Sequence, residues 1–460
     1  MRKRIAILIE LLAISTSLPC FAQQNDELPS APEAIAYFTL GSSMQVAPGG
    51  DVREILTRQQ AEELALKNNP RISVAALLAL AQKQVVRETR SAELPSLYGN
   101  ATAVGAEEAS RLSSGALSAS RLLNHIGVGI QLSQLVTDFG HTHNLVASSS
   151  LQAEAAEQSA EATREDIELT ADLAFYSALE AQATLRVAQS TVSERQSVGD
   201  QIDALTASKL KSTLDQSFAQ ANLSQAKLLV LDSQNRADAA MAALIDILGS
   251  TTDHHYHLVD DVALPSAIAP SAEAVVSLAL QQRPDLKAQQ LAHDADVHFS
   301  KAQHEQLLPT ISASGVIGST PVGSSTYFDQ NWYGAGGVNV SIPIFNGFKF
   351  HAEASEADLR AKASDEQSRQ LIDRIVRDVR TAWLAANTAQ QRMSVTAQLL
   401  KQANMAVELA QTRYQLGLSS IVELSQAQLQ QTQAQIADAN ARFEYEADLA
   451  TLRFQSGSQP

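Results

Sequence analysis

The sequence contains one long pattern twice, and this repeat constrains the fold more than any single motif. The matching pairs are Asn69-Pro70 with Arg283-Pro284, Leu94-Pro95 with Leu308-Pro309, Ala174-Phe175-Tyr176 with Ala382-Trp383-Leu384, and Gly249 with Gly457. The first two pairs lie 214 residues apart (284 minus 70) and the last two lie 208 apart, so the second copy is shorter by 6 residues. A repeat of this length predicts two copies of one structural unit.

The N-terminus has the composition of a secretory signal. A basic start at Arg2–Arg4 precedes an apolar stretch, and Ala22 completes a small-residue cleavage pattern. We therefore expect residues 1–22 to be a signal peptide and residues 23–52 to be an N-terminal extension. Cys20, the one cysteine of the chain, raises the alternative of a lipid anchor.

Charge and hydropathy exclude several classes of function. The net charge is −16, which makes nucleic acid a poor partner. No stretch after the signal reaches the roughly 18 apolar residues that a transmembrane helix needs. Any membrane-spanning part is therefore predicted to consist of β-strands.

Each Leu-Pro pair opens a predicted pair of strands. Val338 and Val340 alternate with small or polar residues, as do Val128 and Ile130 in the first copy. Such alternation is typical of a barrel with an apolar exterior and a wet interior. The predicted strands cover residues about 96–106, 126–136, 310–318 and 332–344. The stretches 107–126 and 319–331, which are rich in Ser and Gly, are expected to be exposed loops.

Long helical stretches follow the strands at 141–248 and 349–455, and each is predicted to fold once into a hairpin. The bends are expected near 208–213 and Leu416–Ser420. A narrow seam of apolar and small residues over 421–454 indicates close side-by-side helix packing, as in coiled coils. The predicted organisation is a first repeat over 53–250, an inter-repeat equatorial segment over 251–270 and a second repeat over 271–457.

The number of strands predicts an oligomer. Four strands per chain cannot close a membrane barrel, which needs about 8 or more. An open sheet edge in lipid leaves backbone groups without hydrogen bonds. Several chains must therefore contribute strands to one barrel, most simply in a cyclic ring.

The whole pattern resembles the TolC-like outer membrane factor family, the channel tunnels of Gram-negative efflux pumps and type I secretion systems. The most specific match is Arg413–Leu424, supported by the Leu-Pro strand openings and by Asp138-Phe139-Gly140. The resemblance covers about 52–457. It implies a mainly α protein with β: a homotrimer with a shared 12-stranded β-barrel in outer-membrane lipid, continued by an α-helical periplasmic tunnel. It also implies two partners, a periplasmic adaptor (membrane fusion) protein and an inner-membrane transporter.

The resemblance further implies a periplasmic gate at the helix bends. Tyr414 is expected to hydrogen-bond an acidic neighbour such as Asp215. Glu423, the counterpart of Asp215 in the second copy, is expected to face the lumen, where three copies would form a ring of carboxylates. The alternatives are solvated surface carboxylates for Asp215 and Glu423, and plain helix packing for Tyr414.

The sequence departs from the family pattern at three positions near these bends. Gln426 stands where a second acidic residue is expected, and Ser419 where a basic residue is expected. The first copy has Lys209 where the second has the turn residue Gly417. The gate is therefore expected to be less acidic and to be held by fewer links.

Two other groups of residues are candidates for binding or anchoring. His254, His255 and His257 could suit a metal ion, but a surface strand or loop with neutral histidines is favoured. His141 and His143 follow the return from strand to helix and are expected at the periplasmic interface, with a ligand role as the alternative. Aromatic residues at the two ends of one strand predict an interfacial girdle, with loop packing as the alternative. These residues are Trp332, Tyr333, Phe345 and Phe348.

The predicted function is a passive outer-membrane exit duct for small molecules, driven by an inner-membrane transporter. No nucleophile–base pair, phosphate loop or metal triad stands out, so neither an enzyme nor a cofactor is predicted. The outer-membrane component of a type I protein secretion system is the first alternative. A periplasmic adaptor or structural coiled-coil protein is the second. The transported substrate is not encoded in this chain, because the transporter selects the cargo.

Overall fold

The structure is a computed structural model that describes residues 54–104, 111–112, 120–121, 125–249, 256–259, 268–319 and 332–457. The predicted signal peptide and N-terminal extension lie outside these ranges, as do Cys20, His254 and His255.

The described elements follow the same order twice. In chain order they are β1 (Glu54–Leu56), α1 (Arg58–Asn68), α2 (Pro70–Ser91), β2 (Ser96–Val104), β3 (Arg111–Leu112), β4 (Ser120–Arg121), β5 (His125–Thr137), α3 (His141–Ala207), α4 (Thr213–Ile247), β6 (Tyr256–Leu258), α5 (Ala272–Gln282), α6 (Pro284–Glu305), β7 (Thr310–Ser319), β8 (Trp332–Ser341), α7 (Lys349–Gln415) and α8 (Ile421–Ser456). Helices α1 and α2, strands β2 and β5 and helices α3 and α4 correspond to α5, α6, β7, β8, α7 and α8.

Local sequence signals explain where the short helices begin. The Thr57 side chain accepts a hydrogen bond from the Gln60 N–H, and the Gln60 side chain accepts one from the Thr57 N–H, which forms a capping box. Asn69 caps the next helix, and Pro70 occupies its first turn, where a missing N–H costs nothing. Pro284 has the same place in the second copy.

Four antiparallel strands form one sheet in the order β2-β5-β7-β8. Residues opposite each other in such a ladder point to the same face. Ile130 lies opposite Ile317, and Ala313 lies opposite Val338, so the apolar positions of the strands share one face. That face carries Leu97, Ala101, Val128, Ile130, Leu132, Ala313, Ile317, Val338 and Val340. Within the described ranges, β2 and β8 have no neighbouring strand on their outer sides.

Two strand predictions are wrong in detail. Strand β8 ends at Ser341, three residues before the predicted end, where Ser341 pairs with the first residue of β7, Thr310. Beyond that pair β7 offers no partner, and Pro343 has no N–H to donate. The predicted loop over 107–126 also contains a short antiparallel ladder of β3 with β4.

The two long hairpins dominate the helical part. Helices α3 and α7 have 67 residues each, which corresponds to a length of about 100 Å. The predicted seam along α8 is buried at Ile421, Leu424, Ala434, Ala441 and Tyr445. Among the helices of the described ranges, none combines the length and the apolar character that crossing a bilayer requires.

The largest cluster of buried side chains joins the first copy to the end of the second. Phe175 and Leu179 of α3 pack with Leu244 of α4 and Phe443 of α8. The parallel ladder of β1 with β6 adds Leu56 to the same cluster. The inter-repeat segment is thus tied to the middle of the helical part.

Candidate functional site at the helix bends

Both helix bends are closed by the same hydrogen-bond pattern. The Leu210 N–H donates to Leu205 O at 2.9 Å, and the Leu418 N–H donates to Arg413 O at 2.8 Å. This pattern is a Schellman cap, which requires a residue in the left-handed region just after the helix. The bends therefore share one geometry in the two copies, as their repeat offset predicts.

The left-handed position is filled by different residues in the two bends. Lys209 has φ of 62° and Gly417 has φ of 73°. A side chain in this region crowds its own backbone, whereas glycine has no such penalty. The first bend is therefore strained where the second is not.

Replacing Lys209 with glycine is expected to stabilise the protein by about 1 kcal/mol, because it relieves this strain. Denaturant unfolding of Lys209→Gly and wild type measures the difference. Ser208→Gly is the matched control, since Ser208 has φ of −80° and gains nothing from glycine. Equal stabilisation by both substitutions would contradict the assignment of strain to Lys209.

Tyr414 is buried between the two hairpin ends and is 6% exposed. It packs with Ile202, Ile421 and Leu424. Its buried hydroxyl has no hydrogen-bond partner among the described residues, so the predicted hydrogen bond to Asp215 is wrong for the single chain. Burial, and secondly the charge of Asp215, raises the pKa of Tyr414. The hydroxyl therefore stays protonated and remains able to donate.

Asp215 is occupied locally instead. Its carboxylate accepts a hydrogen bond from the Ser212 N–H at 3.3 Å, while the Ser212 hydroxyl accepts one from the Asp215 N–H at 3.2 Å. This capping box forms because Asp215 is the third residue of α4. The repeat places Asp215 close to the bends, where Tyr414 also lies. Because the Asp215 side chain caps α4, its carboxylate points to Ser212.

Glu423 has the corresponding place in α8 and an exposed side chain. Its backbone N–H donates to the Ser420 hydroxyl at 3.4 Å, and its carboxylate pairs with Arg413 Nε at 3.4 Å. An exposed ion pair of this kind contributes under about 1 kcal/mol. The carboxylate is thus free to turn elsewhere on assembly, and its place in a lumenal ring stays a prediction.

Lys211 is a residue of the first bend that the sequence motifs did not predict as part of the site. Its ammonium group lies 3.9 Å from the centre of the Tyr414 ring and 3.5 Å from Tyr414 O. A cation at this distance from an aromatic face is attracted by roughly 0.5–2 kcal/mol. The repeat offset could have identified Lys211, because it corresponds to Ser419, where the family pattern expects a basic residue. The basic group is therefore present in the other copy of the repeat.

Several polar atoms near the bends are buried without a hydrogen-bond partner among the described residues. They are Asp203 Oδ1, Thr206 Oγ1, Tyr414 Oη and Ser419 Oγ. A buried polar group without a partner costs about 1–3 kcal/mol. The bends therefore offer hydrogen-bonding groups to water or to another chain.

A second group of ionisable side chains lies where α1 packs on α3. Arg58 pairs with Glu62 and lies 3.3 Å from an oxygen of Asp172. Burial, followed by the hydrogen bond and charge of Asp172, raises the pKa of Glu62. Burial, with two neighbouring glutamates, raises the pKa of Glu165 to about 7. Among the described residues, no group of three or more His, Cys, Asp or Glu could hold a metal ion.

The Glu165 carboxyl is expected to make stability depend on pH. Its pKa is higher in the folded than in the unfolded chain, so its stabilising effect is full in acid and is lost as the pH rises through about 7. Glu165→Gln should therefore gain stability over wild type, on the order of 1–2 kcal/mol, between about pH 5 and pH 8. Thermal unfolding followed by circular dichroism measures this. Glu154→Gln, an exposed position of the same helix, is the control, and a difference that does not change with pH would refute the prediction.

The predicted aromatic girdle divides between two faces of the sheet. Trp332 lies opposite Ser319 on the apolar face, whereas Tyr333 lies opposite Gly318 on the other face. Phe345 and Phe348 stack edge to face with ring centres 5.6 Å apart, just after β8. Placement at a membrane interface stays a prediction for all four residues, and Tyr333 lies on the face opposite to that of Trp332.

The three candidate histidines within the described ranges have ordinary surroundings. His257 lies in β6 opposite Ile55 of β1. His141 Nδ1 lies 2.7 Å from Ala302 O, and His143 is exposed. The surface strand expected for the histidine cluster is thus present at His257.

A sheet with one apolar face, continued by two long helical hairpins that meet at capped bends, is the architecture of an outer-membrane channel subunit. The sequence profile of the family described as "Outer membrane efflux protein" matches residues 62–250 and 275–458. The chain belongs to this family of TolC-like efflux channels, whose members are transport proteins and not enzymes.

Similar proteins agree with this assignment. Outer membrane protein OprJ of Pseudomonas aeruginosa is 25% identical over 440 residues, covering 93% of this chain and 90% of OprJ. Solvent efflux pump outer membrane protein SrpC of Pseudomonas putida is 24% identical over 376 residues, covering 80% of this chain and 77% of SrpC. The structure of the outer-membrane channel OprN has a TM-score of 0.78 at 20% identity, covering 87% of this chain and 90% of OprN. The protein is therefore located in the outer membrane, with its helical part in the periplasm.

Proposed function

We propose that this chain is the outer-membrane duct of a tripartite efflux system and that it works as a homotrimer with a shared 12-stranded barrel. In this arrangement a periplasmic adaptor links the duct to an inner-membrane transporter, which supplies the energy. Small molecules pass through the duct without chemical change.

The observation that carries this proposal is the sheet. Its apolar side chains share one face, and both edge strands lack a neighbour among the described residues. Unpaired edges in lipid cost several kcal/mol for each backbone group. Pairing β8 of one copy with β2 of the next satisfies both edges without changing the fold of either copy.

The buried polar atoms at the bends support a second contact between copies. Tyr414 Oη and Ser419 Oγ lack partners in a single chain. If assembly rearranges the bends so that acceptors of a neighbouring copy reach these atoms, hydrogen bonds are recovered at the periplasmic end of the duct. SrpC, whose name refers to solvent efflux, supports small molecules as the cargo.

Fractionation of cells that produce the full chain tests the assembly. We expect the protein in the outer membrane, migrating as a trimer that heating dissociates on a denaturing gel. A monomer in the soluble periplasm would overturn the proposal. Deletion of the gene separates the cargo classes: sensitivity to solvents and dyes supports efflux, whereas loss of a secreted protein supports the type I alternative.

Neutralising the two bend carboxylates is expected to change conduction. Asp215→Asn combined with Glu423→Gln should lower the preference for cations, because charged rings in a constriction attract counter-ions. It should also raise single-channel conductance, because Glu423→Gln removes the ion pair with Arg413 at the second bend. Recordings in planar bilayers measure both quantities. Glu366→Gln, an exposed site on α7 away from the bends, is the control, and unchanged selectivity in the double variant would remove both residues from the gate.

A further inference from the structure

Helices α3, α4 and α8 of one copy border an open cavity beside the bends. Its volume is about 440 Å³, within the range of roughly 300–1,000 Å³ that is usual for small-molecule sites. It is lined by Thr191 and Arg195 of α3, by Phe218, Asn222, Gln225, Ala226 and Leu229 of α4, and by Val422, Ser425, Gln426, Leu429, Thr432, Gln433 and Ile436 of α8. All three helices belong to one chain, so every residue of the lining is present in a single copy.

Arg195 is the charged residue of this lining, which contains no carboxylate. Its side chain is 9% exposed, and its Nη1 atom is buried without a hydrogen-bond partner among the described residues. Burial lowers the pKa of Arg195, and the charge of the neighbouring Glu194 opposes this shift. A buried charge without a partner is costly, so an anion that enters the cavity gains strongly by pairing with it.

The rest of the cavity suits an apolar body. Phe218, Leu229 and Leu429 supply aromatic and aliphatic surface. Asn222 Nδ2 donates to Ser425 Oγ at 2.7 Å, which joins α4 to α8 across the cavity. Most of the remaining lining residues carry a neutral amide or hydroxyl group. The expected ligand therefore has one negative charge, placed at Arg195, and is uncharged elsewhere.

We propose that this cavity binds a small anionic amphiphile, with its carboxylate, sulfonate or phosphate group on Arg195 and its apolar body against Phe218 and Leu429. The site lies in the helical wall next to the bends: Gln426 lines it, whereas Tyr414, Asp215 and Glu423 do not. Nothing in the binding requires the conduction of ions or cargo.

Calorimetric titration of the full-length protein in non-ionic detergent tests the site, with detergent alone as the blank. Naphthalene-2-sulfonate is the probe, and 2-naphthol, which has the same ring without the charge, is its neutral match. We expect saturable binding of the sulfonate, and binding of 2-naphthol at least ~10-fold weaker. Arg195→Gln should weaken the sulfonate by at least ~10-fold, and Arg195→Lys should retain part of the affinity.

Arg186→Gln is the matched control, because Arg186 is an exposed arginine on the same helix and does not line the cavity. Its affinity for the sulfonate should equal that of wild type.

Competition with short-chain phosphatidylglycerol then identifies the source of the ligand. Displacement that depends on Arg195 supports the site with a lipid as its ligand, and absence of displacement supports a free solute. Equal affinity in wild type and Arg195→Gln would overturn the proposal, as would wild type that fails to bind. Cross-linking of an acidic partner protein at Arg195 without sulfonate binding would assign the groove to that protein and overturn it as well.

Discussion

Val338→Arg is expected to remove most of the protein from the outer membrane. Val338 lies on the apolar face of β8 and is 68% exposed in the single chain, so lipid is its expected environment in the barrel. An arginine on the lipid face near the bilayer midplane costs about 2–4 kcal/mol, and a trimer would carry three of them. Quantitative immunoblotting of outer-membrane and periplasmic fractions measures the loss.

The next residue provides the control. Asn339 points to the opposite face of the same strand, where a wet interior accepts charge. Asn339→Arg should therefore assemble close to the wild-type level. If Val338→Arg assembles as well as Asn339→Arg, the apolar face does not meet lipid.

Gly249→Ala is expected to lower the free energy of unfolding by roughly 3 kcal/mol or more. Gly249 ends α4 with φ of 66°, and a Cβ atom there would lie 2.9 Å from Asn68 O. Two costs therefore add, the left-handed backbone and the collision with a carbonyl that helix α1 holds in place. Denaturant unfolding followed by circular dichroism measures the loss.

Two other glycines with positive φ separate the cost of the left-handed backbone from the cost of the collision. Gly417 has φ of 73° with no atom within 4 Å of an added Cβ, so Gly417→Ala should lose only about 1 kcal/mol. Gly457, the repeat partner of Gly249, would bring its Cβ to 2.9 Å from Arg283 N and should behave like Gly249. Equal losses at Gly249 and Gly417 would show that close packing adds nothing.

The elements of this fold are predictable because their signals are local. Thr57 and Ser271 are good caps wherever a helix begins, and Pro70 interrupts a helix through its own ring. The strand after Pro95 has little alternation, yet β2 forms nine residues long because β5 supplies a partner for each of them. Pairing with β5 therefore determines the extent of β2, which the residue pattern of β2 alone does not predict.

The environment of the bends depends on side-chain directions, which spacing does not give. The charge of Asp215 acts on Tyr414, but the Asp215 carboxylate caps α4 and the Lys211 ammonium group lies over the Tyr414 ring. The cavity at Arg195 is harder still to predict, because its third wall, α8, lies far from α3 and α4 in sequence. The repeat offset could have predicted Lys211. The position that the family pattern expects to be basic is Ser419 in the second copy and Lys211 in the first.

The directions of the two edge strands have a consequence for the bore of the channel. Among the described residues, each chain has four antiparallel strands in this sheet, so β8 of one copy and β2 of the next would run in opposite directions. Any number of copies can therefore continue the alternation without a mismatch. The width of the pore can change only in whole steps of four strands, and strand direction alone does not set the number of copies.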